Sequence, residues 1–230
     1  MLDRPDGRHF FRYSVPLPFL HRGFPPVDVY AGVGWTWDVS EGGACVELPE
    51  HLHAMQPLRF RLQTDRGAIE VEASVVWKAD ARTVRGERSG QVAGGIRHGV
   101  VFTRLASDQY RALRELLRSL AGPGHPRVRL PLDMPALCLP QQEGSQPLEG
   151  WTADVSRGGL SVRLPHPVPP GTGVEIRVET PNASLTVEGV VVWTRTAEGR
   201  ARSGLVRHGI RFTAIGWYTL LSLGLLLTVV

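Results

Sequence analysis

Two arginines four residues apart, in Arg8-His9-Phe10-Phe11-Arg12, precede the polar, glycine-rich segment Asp38-Val39-Ser40-Glu41-Gly42-Gly43. A guanidinium is a planar cation with its N–H groups set as a fork. It donates in pairs to flat or anionic acceptors and stacks on aromatic faces. Asp38 adds an acceptor carboxylate, Ser40 a hydroxyl that donates or accepts, and Gly43 a backbone able to turn tightly and be approached closely. This set suits recognition of a ligand with charged and planar parts. Taken alone, each segment also reads as ordinary structure: a solvated arm, and a strand-ending turn in which Asp and Ser cap backbone N–H groups.

The second segment occurs twice, which organises the chain. Trp35-Thr36-Trp37-Asp38-Val39-Ser40-Glu41-Gly42-Gly43 returns 116 residues on as Trp151-Thr152-Ala153-Asp154-Val155-Ser156-Arg157-Gly158-Gly159, and Val75-Val76-Trp77 returns at the same offset as Val191-Val192-Trp193. His98-Gly99-Val100-Val101-Phe102-Thr103 matches His208-Gly209-Ile210-Arg211-Phe212-Thr213 at an offset of 110, so the first copy has the longer loop before this element. A period this long indicates a duplicated domain rather than a solenoid. The Gly- and Pro-rich run Ala121-Gly122-Pro123-Gly124-His125-Pro126 is the natural junction, giving expected domains 1–122 and 123–230.

The elements that must hold these residues are mainly strands. Leu58-Arg59-Phe60-Arg61-Leu62 and Val174-Glu175-Ile176-Arg177-Val178 alternate apolar and charged side chains, as half-buried antiparallel strands do. The first copy ends in a helical stripe, Tyr110, Leu113, Leu116, Leu117 and Leu120, with Ser107 as its expected N-cap. The corresponding stretch 213–230 carries no charge, which implies cover by the first domain, a second subunit or a membrane, with protein contact preferred.

Composition narrows the function classes. A formal charge of +4, with basic residues dispersed along the chain, gives no nucleic-acid arm, so no DNA or RNA partner is expected. Cys45 and Cys138 have no metal-ligand spacing and are expected to pack as small apolar groups; no metal or cofactor is expected. His98 and His208 stand between Arg and Gly at equivalent strand positions, without a shared nucleophile or carboxylate, and read as packing or hydrogen-bonding residues. Trp77 and Trp193 read as core or barrel-rim anchors. An enzyme is therefore not expected. The N-terminal segment lacks the apolar run of a signal peptide, so the expected location is cytoplasmic, with the 213–230 segment as the one candidate membrane contact.

Together, Arg8-His9-Phe10-Phe11-Arg12 and Asp38-Val39-Ser40-Glu41-Gly42-Gly43 resemble the RxxxR and (D/N)xSxxG motifs of PilZ domains. The strand pattern, the His-Gly-Val-Val-Phe element and the terminal helix are similar to that family as well. The resemblance implies an all-β fold with short helices: two tandem six-stranded antiparallel barrels, each followed by a C-terminal helix. It further implies a receptor for cyclic di-GMP, held by Arg8, Arg12, Asp38, Ser40 and Gly43, which passes the signal by rearranging domains or a protein partner. Motility, surface polysaccharide or biofilm adhesion are the outputs it suggests. The alternative is a PilZ-like interaction module that binds no nucleotide. In the second domain His125 stands where Arg8 does, so a weaker site of Arg127, Arg129, Asp154, Ser156 and Gly159 is expected, with a structural or regulatory role ahead of ligand binding.

Overall fold

A computed structural model describes residues 10–23, 32–79, 95–122, 128–180, 184–196 and 204–229. Strands β1 (Pro18–Gly23), β2 (Gly32–Ser40), β3 (Gly43–Leu48), β4 (Pro57–Thr64), β5 (Gly67–Ala79) and β6 (Ile96–Arg104) close into an antiparallel barrel in the order β1-β2-β3-β6-β5-β4. The alternation read from β4 is realised in three dimensions: Leu58, Phe60 and Leu62 are buried while Arg59 and Arg61 are partly exposed. Phe19 meets Phe60 edge-on with centroids 5.0 Å apart inside the barrel, an arrangement that favours the positive ring edge over the negative face.

Helix α1 (Ser107–Leu120) packs its stripe Leu113, Leu116, Leu117 and Leu120 onto this core. Two expectations for it are corrected. The N-cap is the extended Ala106, with no side-chain cap, and Ser107 is already helical. Tyr110 stands outside the buried stripe, because its hydroxyl is drawn to a carboxylate on a neighbouring turn.

The second unit repeats the design. β8 (Pro135–Pro140), β9 (Leu148–Ser156), β10 (Gly159–Leu164), β11 (Gly173–Glu179), β12 (Ser184–Thr196) and β13 (Val206–Ala214) run β10-β13-β12-β11-β8-β9, and the β9–β10 pairing closes the ring. The two-residue β7 (Leu130–Pro131) lies beyond β8 along the same edge of β9. In the first barrel the bridge between Tyr13 and Val39 holds the same place. Thus Arg12 and Arg129, each one residue ahead of that pairing, are structural equivalents. The junction expected at 121–126 falls largely outside the described residues.

Helix α2 (Trp217–Val229) is shorter than the segment 213–230 suggested. Its residues Trp217, Leu220, Leu223 and Leu227 are buried at helical spacing, whereas Tyr218 and Leu225 are exposed. Cover on one stripe is thus supplied by the chain itself. By compactness the first unit takes in 224–230 with 1–128, and Gly224 there lies against Trp35 and Val33: a Cβ would come within 3.0 Å of the indole nitrogen. Among the described residues no helix is long and apolar enough to cross a membrane.

Candidate ligand-binding site

The arm that carries Arg12 is built into the barrel. Tyr13 and Val39 exchange backbone hydrogen bonds of 2.9 and 3.0 Å, and the Thr36 amide donates to Leu17 O at 2.8 Å. The buried Thr36 hydroxyl accepts from the Leu17 amide and donates to Val15 O. A threonine inside an apolar barrel has its polar atom satisfied in this way, and in return it fixes the arm against β2.

The arm delivers Arg12 to Asp38, with Nη1 donating to Oδ1 at 2.9 Å. The Cys45 amide donates to the same oxygen at 3.2 Å. Among the described residues Oδ2 accepts no hydrogen bond. Asp38 reaches this outer surface because β2 has a bulge. Thr36 pairs with Val46 and Asp38 with Cys45, so Trp37 is an extra residue between them. Thr36 shares the inward face of Val46, and the bulge re-aims Asp38 outward. Trp37 is 43% exposed, and the Arg97 guanidinium of β6 lies over its ring, 3.5 Å from the centroid.

Below this surface the turn between β2 and β3 is closed from within. Ser40 is buried and its hydroxyl donates to Gly43 O at 3.0 Å. Gly43 is set so close to β6 that a Cβ would sit 2.2 Å from Val100 O. Three further contacts hold the turn: Phe10 lies on Gly42, and Glu41 accepts from the Tyr110 hydroxyl at 2.7 Å and pairs with Arg114 at 3.5 Å, both on α1. Hydrogen bonding to Glu41 raises the Tyr110 phenol above its usual value. Burial, with Asp38 adding to it, pushes the Cys45 thiol up to about 11 against the pull of Arg97 and Arg12, so it stays protonated.

Of the expected first-site residues the structure therefore brings together Arg12, Asp38, Ser40 and Gly43. Arg8 lies outside the described residues. Sequence reasoning missed Trp37, Arg97, Glu41 and Phe10. The repeat held a signal for the first two, since Arg97 has its counterpart in Arg207 while Trp37 is replaced by Ala153.

That replacement accompanies a different network in the second barrel. The bulge recurs, with Asp154 opposite Ser161 and Thr152 opposite Val162. Ser161 occupies the place of Cys45, and its hydroxyl donates to Asp154 Oδ2 at 2.8 Å. Arg129 Nε donates to Oδ1, and Arg207 Nη2 donates to Oδ2. Burial by itself would raise the Asp154 carboxyl, but the hydrogen bonds from Arg129 and Ser161, with both cations nearby, hold it below the ordinary carboxylate value. Ser156 donates to Gly159 O at 3.2 Å, and Gly159 packs on Ile210 O, as in the first copy. Arg127 lies outside the described residues.

The remaining candidates have structural places. His98 is fully buried, its Nε2 accepting from the Leu52 amide at 3.1 Å, and His208 accepts from the Val168 amide at 2.9 Å. Burial lowers both imidazoles below the usual value. Trp77 lies on the outer surface over Gly99, and Trp193 lies over Gly209, where a Cβ would strike either ring. Neither indole is a core residue. Cys45 and Cys138 are buried free thiols. Among the described residues no His, Cys, Asp and Glu cluster could hold a metal ion.

A closed six-stranded antiparallel barrel with a glycine-rich turn facing an arginine arm, present twice, defines a class of small β-barrel modules. The PilZ domain family model matches residues 6–119 and 124–216, and the chain belongs to that family. The PilZ domain of Escherichia coli YcgR, solved with c-di-GMP, matches at 18% identity and TM-score 0.41 over 50% of this chain and 91% of that one. Borreliella burgdorferi PlzA, in complex with c-di-GMP, matches at 10% identity and TM-score 0.39, covering 94% of this chain and 91% of its own. Apo MrkH of K. pneumonia matches at 13% identity and TM-score 0.38, covering 94% of this chain and 86% of its own. No curated protein sequence matches the chain.

Proposed function

We propose that this protein is a non-enzymatic cyclic di-GMP receptor that binds its ligand at the first barrel. The observation that carries this reading is the half-engaged Asp38. One of its oxygens is pinned by Arg12 and the Cys45 amide, while among the described residues the other has no donor. A guanine ring offers N–H donors to that oxygen, and Arg12, with Arg8 from the same arm, offers forked donors to phosphate or to the guanine O6 and N7 edge. Ser40 and Gly43 hold the turn in place, so their contribution is to keep Asp38 facing outward. Binding redistributes the arm and the Glu41 turn, and a partner protein reads the change, since a ligand shifts a conformational equilibrium only by its differential affinity for the two states.

The second barrel fits the alternative reading better. With both Asp154 oxygens already engaged by Arg129, Ser161 and Arg207, it serves as an interaction module without nucleotide.

Titration calorimetry with cyclic di-GMP tests both. The intact chain is expected to bind. Arg12→Ala and Asp38→Ala are each expected to weaken binding about tenfold to a hundredfold, the loss of one charge-assisted hydrogen bond, whereas Asp154→Ala changes affinity little. No heat and no thermal shift with the intact protein refute the receptor reading.

A further inference from the structure

We infer that Arg97 is a further ligand-contacting residue of the first barrel and that Trp37 is the positioning residue that holds it ready. The inference rests on the receptor reading and extends it to two residues outside both motifs.

The comparison between the two copies carries it. Arg97 and Arg207 occupy the same place on β6 and β13, opposite Glu47 and Arg163 respectively. Arg207 turns to the motif aspartate, donating to Asp154 and to Ser161. Arg97 does not: its guanidinium carbon lies over the Trp37 ring, 3.5 Å from the centroid, and among the described residues its buried Nε has no hydrogen-bond partner. Besides the cross-strand partner, Glu47 against Arg163, two neighbours differ around these arginines: the bulge residue, Trp37 against Ala153, and the residue across from the aspartate, Cys45 against Ser161. An indole face gives a guanidinium an attractive resting place that an alanine cannot. A protonated thiol is a weak hydrogen-bonding group where serine is a strong one. Both differences draw Arg97 away from Asp38.

Parking on an aromatic face leaves a guanidinium's N–H edge available, because stacking uses the plane and hydrogen bonding uses the rim. Arg97 therefore stands beside the Arg12–Asp38 pair as a cation whose donors no carboxylate occupies among the described residues. The acceptors it addresses are phosphate oxygens, the one part of a cyclic dinucleotide that matches an unneutralised cation at any orientation of the bases. Trp37 has a second consequence: while it holds Arg97, the outward oxygen of Asp38 stays clear, and in the barrel where it is missing that position is filled from within.

The test is calorimetry with cyclic di-GMP on the full chain and on Arg97→Ala, Arg97→Lys, Trp37→Ala, Trp37→Phe and the Trp37→Ala/Arg97→Ala pair, at two salt concentrations. Arg97→Ala is expected to lose about tenfold in affinity and to flatten its salt dependence. Arg97→Lys recovers part of the salt dependence. Trp37→Ala is expected to lose at least as much, because Arg97 then falls onto Asp38, while Trp37→Phe keeps a stacking face and stays within about threefold. The paired variant is expected to lose less than the product of the two single losses, the sign of residues acting as one unit. Binding by the intact chain that is unchanged in Arg97→Ala overturns this inference and leaves the receptor reading standing. No binding by the intact chain overturns both.

Discussion

At the residue scale, the motif serine and glycine are engaged within the barrel, Ser40 with Gly43 O and Gly43 against β6. Gly43 has no side chain because β3 and β6 approach so closely that a Cβ would stand 2.2 Å from a backbone oxygen. Gly43→Ala is thus expected to force two core strands apart and cost about 1–3 kcal/mol in urea unfolding. Among the described residues the nearest atoms to a Cβ at Gly42 are those of the Phe10 ring, a side chain that can move, and Gly42→Ala is expected to unfold at nearly the native urea midpoint; equal losses in the two variants would contradict this division. Arg12, Asp38 and their aligned partners Arg129 and Asp154 were legible in the sequence because motif and repeat coincide. The role of Trp37 was not. Trp35-Thr36-Trp37-Asp38 reads as a regular strand, in which Thr36 and Asp38 would share one face, and nothing in residue types announces the bulge that separates them.

At the element scale, the barrels were legible because half-buried strands alternate with period two, and Leu58, Phe60 and Leu62 or Val174, Ile176 and Val178 bury as that pattern requires. The start of α1 was misread, since Ser107 has cap chemistry but lies one residue inside the helix. Contacts between elements distant in sequence were invisible, and the main case is the hold of α1 on the motif turn. Tyr110 is 69 residues from Glu41, yet its hydroxyl lies 2.7 Å from that carboxylate. Both groups are exposed, so Tyr110→Phe is expected to leave thermal stability nearly unchanged. Hydrogen exchange at the Glu41 and Gly42 amides is expected to speed up severalfold in that variant. Exchange at the native rate would mean that the turn holds its shape without the helix.

At the scale of the whole molecule, duplication has kept the framework and changed the site. Both copies retain a fully buried histidine that accepts a backbone hydrogen bond, His98 and His208. Burial lowers each folded imidazole below its usual value near 6.5. Between the folded and unfolded values the unfolded chain binds more protons, so this contribution to stability is complete above pH 6.5 and declines as the pH falls below it. Thermal unfolding followed from pH 7.5 to 5 is expected to show that decline, and His98→Gln is expected to reduce its slope. An equal slope in the variant would assign the decline to other groups. The saturated carboxylate of the second barrel has a consequence under the proposed receptor function. With Arg129, Ser161 and Arg207 gathered on Asp154, that barrel is in effect occupied by its own side chains. On that proposal it is expected to act as a constant against which occupancy of the first barrel is read, so that one site sets the dose range of the response and the other supplies the baseline.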